Sequence, residues 1–495
     1  MASGLALALY AVALAAGAYA VWRRPVLALY AFLIGLALHN LTLALLYGAG
    51  VRGGALDAIQ AWKEILLAVA VLSVALAAGR ARRLPFRPAA VDALALAFAV
   101  LACLYAVLPQ RLLGGAAGAE AIAYGLRHAL VPVVAYFLGR SLLHGAEELR
   151  RLGWTLVGAA AALAAVGLVD IYAVPVEWWR DSGAVGWFTN ELGFDDYRGP
   201  GGLPDNFAFN SDEGLFRRLV STFISPLATA FVFVVALLLG SSPGPLQRRP
   251  FLLVPLLGVA GVGLLFTLSR SSLLALAGGF VVLALARRRA WPLAAAGATL
   301  AAGIAFALTF PSFAPETHFF PEDIPDQVAR AQREGGLPEN TFVSGDESSL
   351  RSHLTSLRDG LERVVDHPEG YGLGNAGAVA VRFDEKVLAG ESNFTENGVE
   401  TGLARHALFV AWQLALLRGL VRTARSAEGE TARWAAGGLA AALAAVLALA
   451  VQTDAYGVPW LAYNLWWLGG ALLVPAAARV STPAKAPVRP RLERA

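Results

Sequence analysis

Lysine, cysteine and methionine are nearly missing from this 495-residue chain. Lys63, Lys386 and Lys485 are its lysines, Cys103 is its cysteine, and it has a single methionine. One cysteine excludes a disulfide framework within the chain and a thiolate metal centre. Charge is scarce as well, at 15% of residues, and 40 basic side chains nearly balance 36 acidic ones. No nucleic-acid partner is expected from that balance. The bias to arginine, beside abundant alanine and glycine, points to coding composition more than to function.

What is present is apolar. Hydrophobic residues make up 57% of the chain and the mean hydropathy is +0.57. Repeated apolar runs near 20 residues make this a polytopic helical membrane protein. The opening MASGLALALYAVALAAGAYAVWRR resembles a signal peptide. It lacks a basic start, however, and carries Arg23 and Arg24 after the run. That charge order favours an uncleaved first helix with its N-terminus outside.

Apolar length and loop charge together predict thirteen spans, near 4–21, 25–47, 57–79, 89–108, 121–143, 152–173, 219–240, 250–268, 272–286, 291–310, 402–420, 434–452 and 459–477. Alternation then gathers Arg23, Arg24, RARRLPFR (80–87), Arg150, Arg151, Arg248, Arg249, RRR (287–289), the 418–433 loop and the tail on one side. That side is cytoplasmic by the positive-inside rule. The organisation is therefore N-terminal helices over 1–173, a long exterior loop over 174–217 and helices over 218–310. A second exterior segment over 311–401, helices over 402–477 and a basic tail over 478–495 follow.

The first exterior loop holds Trp178, Trp179, Trp187 and Phe188, which can stack on sugars and are expected rather to anchor in headgroups. In the second, Leu350, Leu354, Leu357, Leu361 and Val364 form one helical stripe closed by Pro368, an amphipathic helix lying on the membrane or on the bundle. This segment is expected to form a small, partly helical subdomain.

The stretch GLLFTLSRSSLLALAGG, residues 263–279, places Arg270 inside an apolar run. Residues 251–286 are too long for one span and long enough for two, so Arg270 caps an outward hairpin. Arg218 in FRRLVSTFISP, Arg127 and His128 in YGLRHALVPVVAY, and Lys63 and Glu64 in AIQAWKEILLAV also fall at outer ends. A lone charge there usually snorkels to the headgroups. Several together suit a phosphate or pyrophosphate, whose oxygens a guanidinium binds bidentately.

TLSRSS between two helices, RLVSTFISP before it, and HPEGYGLGNAG followed by ESNFTENGVETG together resemble the O-antigen ligase and polymerase superfamily. Arg218 matches the arginine of that family's R-x-x-G-T-F-like stretch, with Ser221 in place of glycine. Arg270 matches the arginine after T-x-S. Pro368, Gly370, Gly372 and Gly374 match its P-x-x-G-x-G segment. Glu391 and Ser392, nine residues and Gly402 keep the spacing of a motif that begins with histidine, which glutamate replaces here.

The resemblance implies a metal-independent glycosyltransferase with an all-α, GT-C-like bundle in the bacterial inner membrane and a site facing the periplasm. Its donor would be an undecaprenyl-pyrophosphate-linked glycan. The acceptor would be a second glycan or a lipid-linked group, with membrane lipid around it and a chain-length regulator as a further partner. Arg218 and Arg270 would stabilise the leaving pyrophosphate, Glu391 would take the acceptor proton, and Arg127, Lys63, His353, His128 and Ser392 would bind substrate. Arginines beside Glu391 would make it a weak base that assists late or orients the hydroxyl. Glu396, Glu400 and His353 are the other acid–base groups nearby. No cofactor is expected, and no Asp-x-Asp metal pair is present; Asp195-Asp196 is the nearest imitation.

With glutamate in place of histidine, a polymerase of lipid-linked repeat units is the first expectation and a ligase to a lipid or protein acceptor the second. A peptidoglycan polymerase of the shape-and-division class would need an aspartate-bearing exterior loop, which is not evident. A lipid-linked sugar flippase would need an internal repeat and charges deep in several spans, and the charges here gather on one side.

Overall fold

The computed structural model describes residues 2–142, 144–194, 202–211, 214–315, 317, 319, 348–390 and 392–473. Its helices, in chain order, are α1 (Ala2–Arg23), α2 (Val26–Gly48), α3 (Gly54–Gln60), α4 (Trp62–Ala81), α5 (Ala90–Val107), α6 (Ala119–Ser141), α7 (Ala146–Ala173), α8 (Val176–Asp181) and α9 (Ala184–Gly186). After an antiparallel hairpin, β1 (Ala208–Ser211) and β2 (Gly214–Arg217), come α10 (Pro226–Ser241), α11 (Pro250–Phe266), α12 (Arg270–Arg287) and α13 (Trp291–Thr309). Then follow α14 (Ser348–Asp366), α15 (Gly377–Arg382), α16 (Asn393–Ser426), α17 (Glu430–Ala450) and α18 (Pro459–Leu472).

Among the described residues ten helices are long and apolar enough to cross a membrane: α1, α2, α4, α5, α6, α7, α12, α13, α16 and α17. The chain is thus a polytopic helical membrane protein. Three of the thirteen expected spans are shorter: α10 has 16 residues, α11 has 17 and α18 has 14. α10 and α18 are buried along nearly their whole length. Neighbouring helices surround them, so bilayer thickness does not dictate their length. The small hairpin is the one departure from an all-α reading among the described residues.

Helices in lipid gain little from the hydrophobic effect when they meet, so close backbone approach has to supply the contact. α6 and α18 show how. A Cβ on Gly139 would sit 1.9 Å from the Trp467 carbonyl oxygen, and one on Gly470 2.1 Å from that of Tyr136. Side chains larger than hydrogen would push the pair apart. Two buried ion pairs add to the frame. Arg140 Nε lies 2.8 Å from Asp92 Oδ1, which also accepts from Tyr136 Oη at 2.6 Å. Arg217 Nη2 lies 2.8 Å from Asp170 Oδ1, which also accepts from the Trp179 indole at 2.7 Å.

Several expectations need correction. The span expected over 219–240 begins at Pro226, because the Ser225 side chain caps the helix by accepting from Ala228 N–H and proline suits its first turn. Arg218 therefore lies eight residues ahead of α10, directly after β2. The last described helix runs from Pro459 to Leu472, and residues 474–477 of the expected span lie outside the described residues. Trp179 and Trp187 are 3% and 2% exposed, so neither anchors in headgroups. Among the described positions of α14, Gly360 and Val364 are buried, because a glycine lets the helix close on Thr395 of α16 and Val364 seats on Gly398. Leu354 and Leu361 are not covered by protein, which leaves them open to the membrane contact expected of an amphipathic helix.

Candidate functional site

α16 does not run unbroken. Thr401 and Gly402 leave helical geometry, with Gly402 at φ 73° and ψ 175°, a region open essentially to glycine alone. The cause lies in the loop after α14. Leu403 N–H donates to the Pro368 carbonyl at 2.8 Å instead of continuing the helix. The carbonyls freed at Val399 and Glu400 accept from Tyr371 N–H at 2.8 Å and Gly372 N–H at 2.7 Å. Buried backbone that leaves a helix must be satisfied by protein, and here the HPEGYGLGNAG segment does it. A Cβ on Gly370 would sit 2.3 Å from Gly402 N, so both glycines are required by the same contact.

The docked loop reaches two further places. Gly374 N–H donates to Glu400 Oε1 at 2.7 Å, fixing that carboxylate. Asn375 Oδ1 accepts from Ala116 N–H at 2.9 Å and Ala117 N–H at 3.1 Å, tying the loop to the α5–α6 connection. Broken helix, glycine loop and α6 therefore form one rigid wall.

Two cavities lie against that wall. The outer one, about 200 Å³, is lined by Lys63, Arg127, Arg382, His39, His128, Tyr124, Trp187, Asp454 and neighbours. The inner one, about 30 Å³, is lined by His128, Asn393, Glu396, Glu400, Arg405 and apolar groups including Trp412. It has room for about two waters. His128, Val379 and Tyr456 line both.

Charge is arranged in an order across the two. Glu64 clamps Arg127, with Oε1 at 2.6 Å from Nη2 and 2.7 Å from Nε. Tyr124 lies between two guanidinium groups, those of Arg127 at 4.9 Å and Arg382 at 4.6 Å from its ring centroid, and Arg382 donates to its hydroxyl at 3.0 Å. Lys63 Nζ is buried, donates to the Gln60 carbonyl at 2.7 Å and lies 3.3 Å from His39 Nε2. These contacts hold three cations on one cavity lining without neutralising all of them.

At the junction, His128 Nε2 lies 3.2 Å from Asp454 Oδ1. That oxygen also accepts from Asn393 Nδ2 at 2.6 Å and Gly457 N–H at 2.7 Å. Asp454 sits in the turn between α17 and α18. Burial pushes its carboxyl up, but the attraction of His128 and its hydrogen bonds outweigh that and hold it below the ordinary carboxylate range. Behind the junction Arg405, 1% exposed, donates to Thr401 Oγ1 at 2.9 Å and lies 4.1 Å over the Phe98 ring. Its Nε has no hydrogen-bond partner among the described residues.

The structure therefore unites Lys63, Arg127 and His128 in one cavity. Arg218 and Arg270 line neither cavity. Arg218 Nε donates to the Thr267 carbonyl at 3.0 Å, and Arg270 opens α12 with its guanidinium 5.6 Å from the Phe209 ring centroid. Both flank the 266–270 corner, which also holds Leu219 N–H through the Phe266 carbonyl. Four residues after Leu219, the Phe223 carbonyl accepts from the cavity-lining Asn40 at 2.7 Å. Ser392 is buried, with Oγ 3.4 Å from the Ala450 carbonyl. His353 lies part-exposed on α14. Glu391, Asp195 and Asp196 lie outside the described residues. Among the described residues no cluster of three His, Cys, Asp or Glu groups is placed to hold a metal ion.

Sequence reasoning missed His39, Arg382, Asp454 and Arg405 as members of the site. No family model matches the chain, and no curated protein matches it.

Proposed function

We propose that the chain is a glycan polymerase joining undecaprenyl-pyrophosphate-linked oligosaccharide repeat units at the outer leaflet, by glycosyl transfer without a metal. The observation that carries this reading is the convergence of Lys63, Arg127 and Arg382 on one cavity whose inner wall is the His128–Asp454 pair. Fixed cations are what a leaving pyrophosphate requires. The acceptor hydroxyl oxygen attacks the anomeric carbon, the bond from that carbon to the phosphate oxygen breaks, and the electron pair leaves on the pyrophosphate.

The proton of the attacking hydroxyl goes to a base. Glu391 holds that role by resemblance, one residue before Ser392, which precedes α16. The His128–Asp454 pair is its rival, favoured by its hydrogen-bonded geometry between the two cavities. Trp187 supports a sugar at the same place, since it lines the outer cavity and its indole N–H has no partner among the described residues. Arg218 and Arg270, on the neighbouring corner, would contact the donor's far phosphate.

A ligase would use the same donor and differ in acceptor, so one experiment separates the readings. Purified protein in detergent is incubated with a synthetic lipid-linked repeat unit, and products are read by mass. Growth in multiples of one repeat, unchanged in EDTA, supports the polymerase. Transfer only to an added lipid-core or protein acceptor shows a ligase. No transfer in detergent, with translocation in vesicles, shows a flippase. Activity lost in EDTA and restored by magnesium or manganese shows a metal site, with Asp195 and Asp196 the first to test.

A further inference from the structure

At the N-terminal ends of α2 and α7 the chain builds a third cavity, about 660 Å³, that shares no lining residue with the two above. Its lining comes from three places: Arg24, Leu27 and Tyr30 around the α1–α2 turn, Glu147 to Thr155 along the first turns of α7, and Pro245, Arg248 and Arg249 before α11. Five arginines, Arg24, Arg150, Arg151, Arg248 and Arg249, face two carboxylates, Glu147 and Glu148. A third carboxylate, Glu430, pairs with Arg248 from α17. Two positive charges remain in excess.

The carboxylates of the lining are each paired within it. Glu148 is held between Arg24 Nη2 at 2.9 Å and Tyr30 Oη at 2.6 Å. Glu147 takes Arg150 Nη2 at 2.5 Å and Arg151 Nε at 3.0 Å. Leu27, Trp154 and Pro245 give the cavity apolar walls. Directly after Arg249, α11 exposes Phe251, Leu252 and Val254, at 92%, 54% and 65%. Guanidinium groups in the lining and bare apolar side chains along the adjoining helix match the two halves of one molecule. The first suits phosphate oxygens, the second acyl chains.

We propose that this cavity binds an anionic phospholipid, with its headgroup phosphate among Arg24, Arg150, Arg151, Arg248 and Arg249 and its acyl chains along the exposed face of α11. The excess of two charges favours a headgroup carrying two phosphates over one. Basic cavities between membrane helices recognise anionic headgroups by this chemistry. This lipid site shares no residue with the proposed transfer site.

The test uses the full chain in detergent, titrated with phosphatidylglycerol, cardiolipin, phosphatidylcholine or inorganic phosphate and read by native mass spectrometry. Retention of cardiolipin and phosphatidylglycerol, in that order, over phosphatidylcholine is expected. Arg248→Gln with Arg249→Gln should weaken retention about thirtyfold, and lysines at both positions should restore most of it. Arg80→Gln with Arg82→Gln, at the C-terminal end of α4 and outside the cavity, should change nothing. Glu147→Gln should tighten binding, and it tests the idea even if the double variant does not fold. Inorganic phosphate held as tightly as lipid, equal loss in the control variant, or no gain with Glu147→Gln would each overturn the proposal.

Discussion

His128 Nε2 stands 3.2 Å from Asp454 Oδ1, joining the middle of α6 to the turn before α18 at the junction of two cavities. With Nε2 engaged by the carboxylate, the ring is oriented and Nδ1 is the nitrogen left to act. A histidine so placed competes with Glu391 for the acceptor proton, and isosteric variants separate them. Glu391→Gln is expected to lower turnover by about a hundredfold or more while donor binding stays near normal, the scale of a lost general base. His128→Gln is expected to lower it less. If the two results are exchanged, the histidine is the base and Glu391 is a positioning group.

The broken helix allows a test with opposite signs at two glycines. Gly402→Ala adds a Cβ about 2.4 Å from the Pro368 carbonyl oxygen, at a φ of 73° that side chains avoid. It should destabilise by about 3 kcal/mol or more, as strain and clash combine. It should also release Gly374 from Glu400. Gly158→Ala, in α7 with nothing within 4 Å of its added Cβ, should stabilise by up to about 1 kcal/mol. Thermal unfolding of the purified variants in one detergent reads both. Equal melting temperatures would show that the loop does not hold the break.

How far the site was legible follows from where each residue sits. Lys63, Arg127 and His128 could be grouped because each lies at a span end that charge alternation assigns to one side. Pro368 and the glycines after it were legible as a motif, and the backbone explains them. Asp454 and Arg382 were not, because each is a single charge in a connection or a short helix whose neighbours lie elsewhere in the chain. His39 lies within α2, where a neutral ring leaves no charge pattern. Arg405 lies within the span expected from residue 402, where sequence alone does not tell a buried arginine from one at a span end. α16 starts at Asn393 instead, and Arg405 follows the Thr401–Gly402 break inside the protein. The buried Trp179 and Trp187 were misjudged for a related reason, since their partners, Asp170 and the outer cavity, come from other segments.

Orientation can be checked at exposed connections. Ser269 is unsuitable for labelling, being 3% exposed with its hydroxyl 2.7 Å from that of Ser272. Leu112, 75% exposed between α5 and α6, and Leu84, 64% exposed between α4 and α5, serve instead. In a Cys103→Ala background, Leu112→Cys should react with an impermeant thiol reagent on intact cells. Leu84→Cys should react only after the membrane is opened. The reverse pattern would turn the bundle over and move the candidate site to the cytoplasmic face.

The cations divide into two groups, and their variants should not behave alike. Lys63, Arg127 and Arg382 line the outer cavity, whereas Arg218 and Arg270 flank the 266–270 corner. If the cavity holds the donor's pyrophosphate in the ground state, Lys63→Met and Arg127→Gln should chiefly weaken donor binding. If the corner arginines tighten on charge as it develops, Arg218→Ala and Arg270→Ala should each lower turnover by about a hundredfold or more, with smaller effects on binding. Lysine at either corner position should rescue only in part, because a point charge cannot reproduce the bidentate fork. Arg218 carries a second duty, its hydrogen bond to the Thr267 carbonyl, so Arg218→Ala is compared with Thr267→Ala, which keeps that carbonyl. Normal turnover in both arginine variants, beside loss in Lys63→Met and Arg127→Gln, would place the whole pyrophosphate in the cavity and leave the corner as scaffold. Normal turnover in all four would remove the cationic cavity from the chemistry and the transfer reading with it.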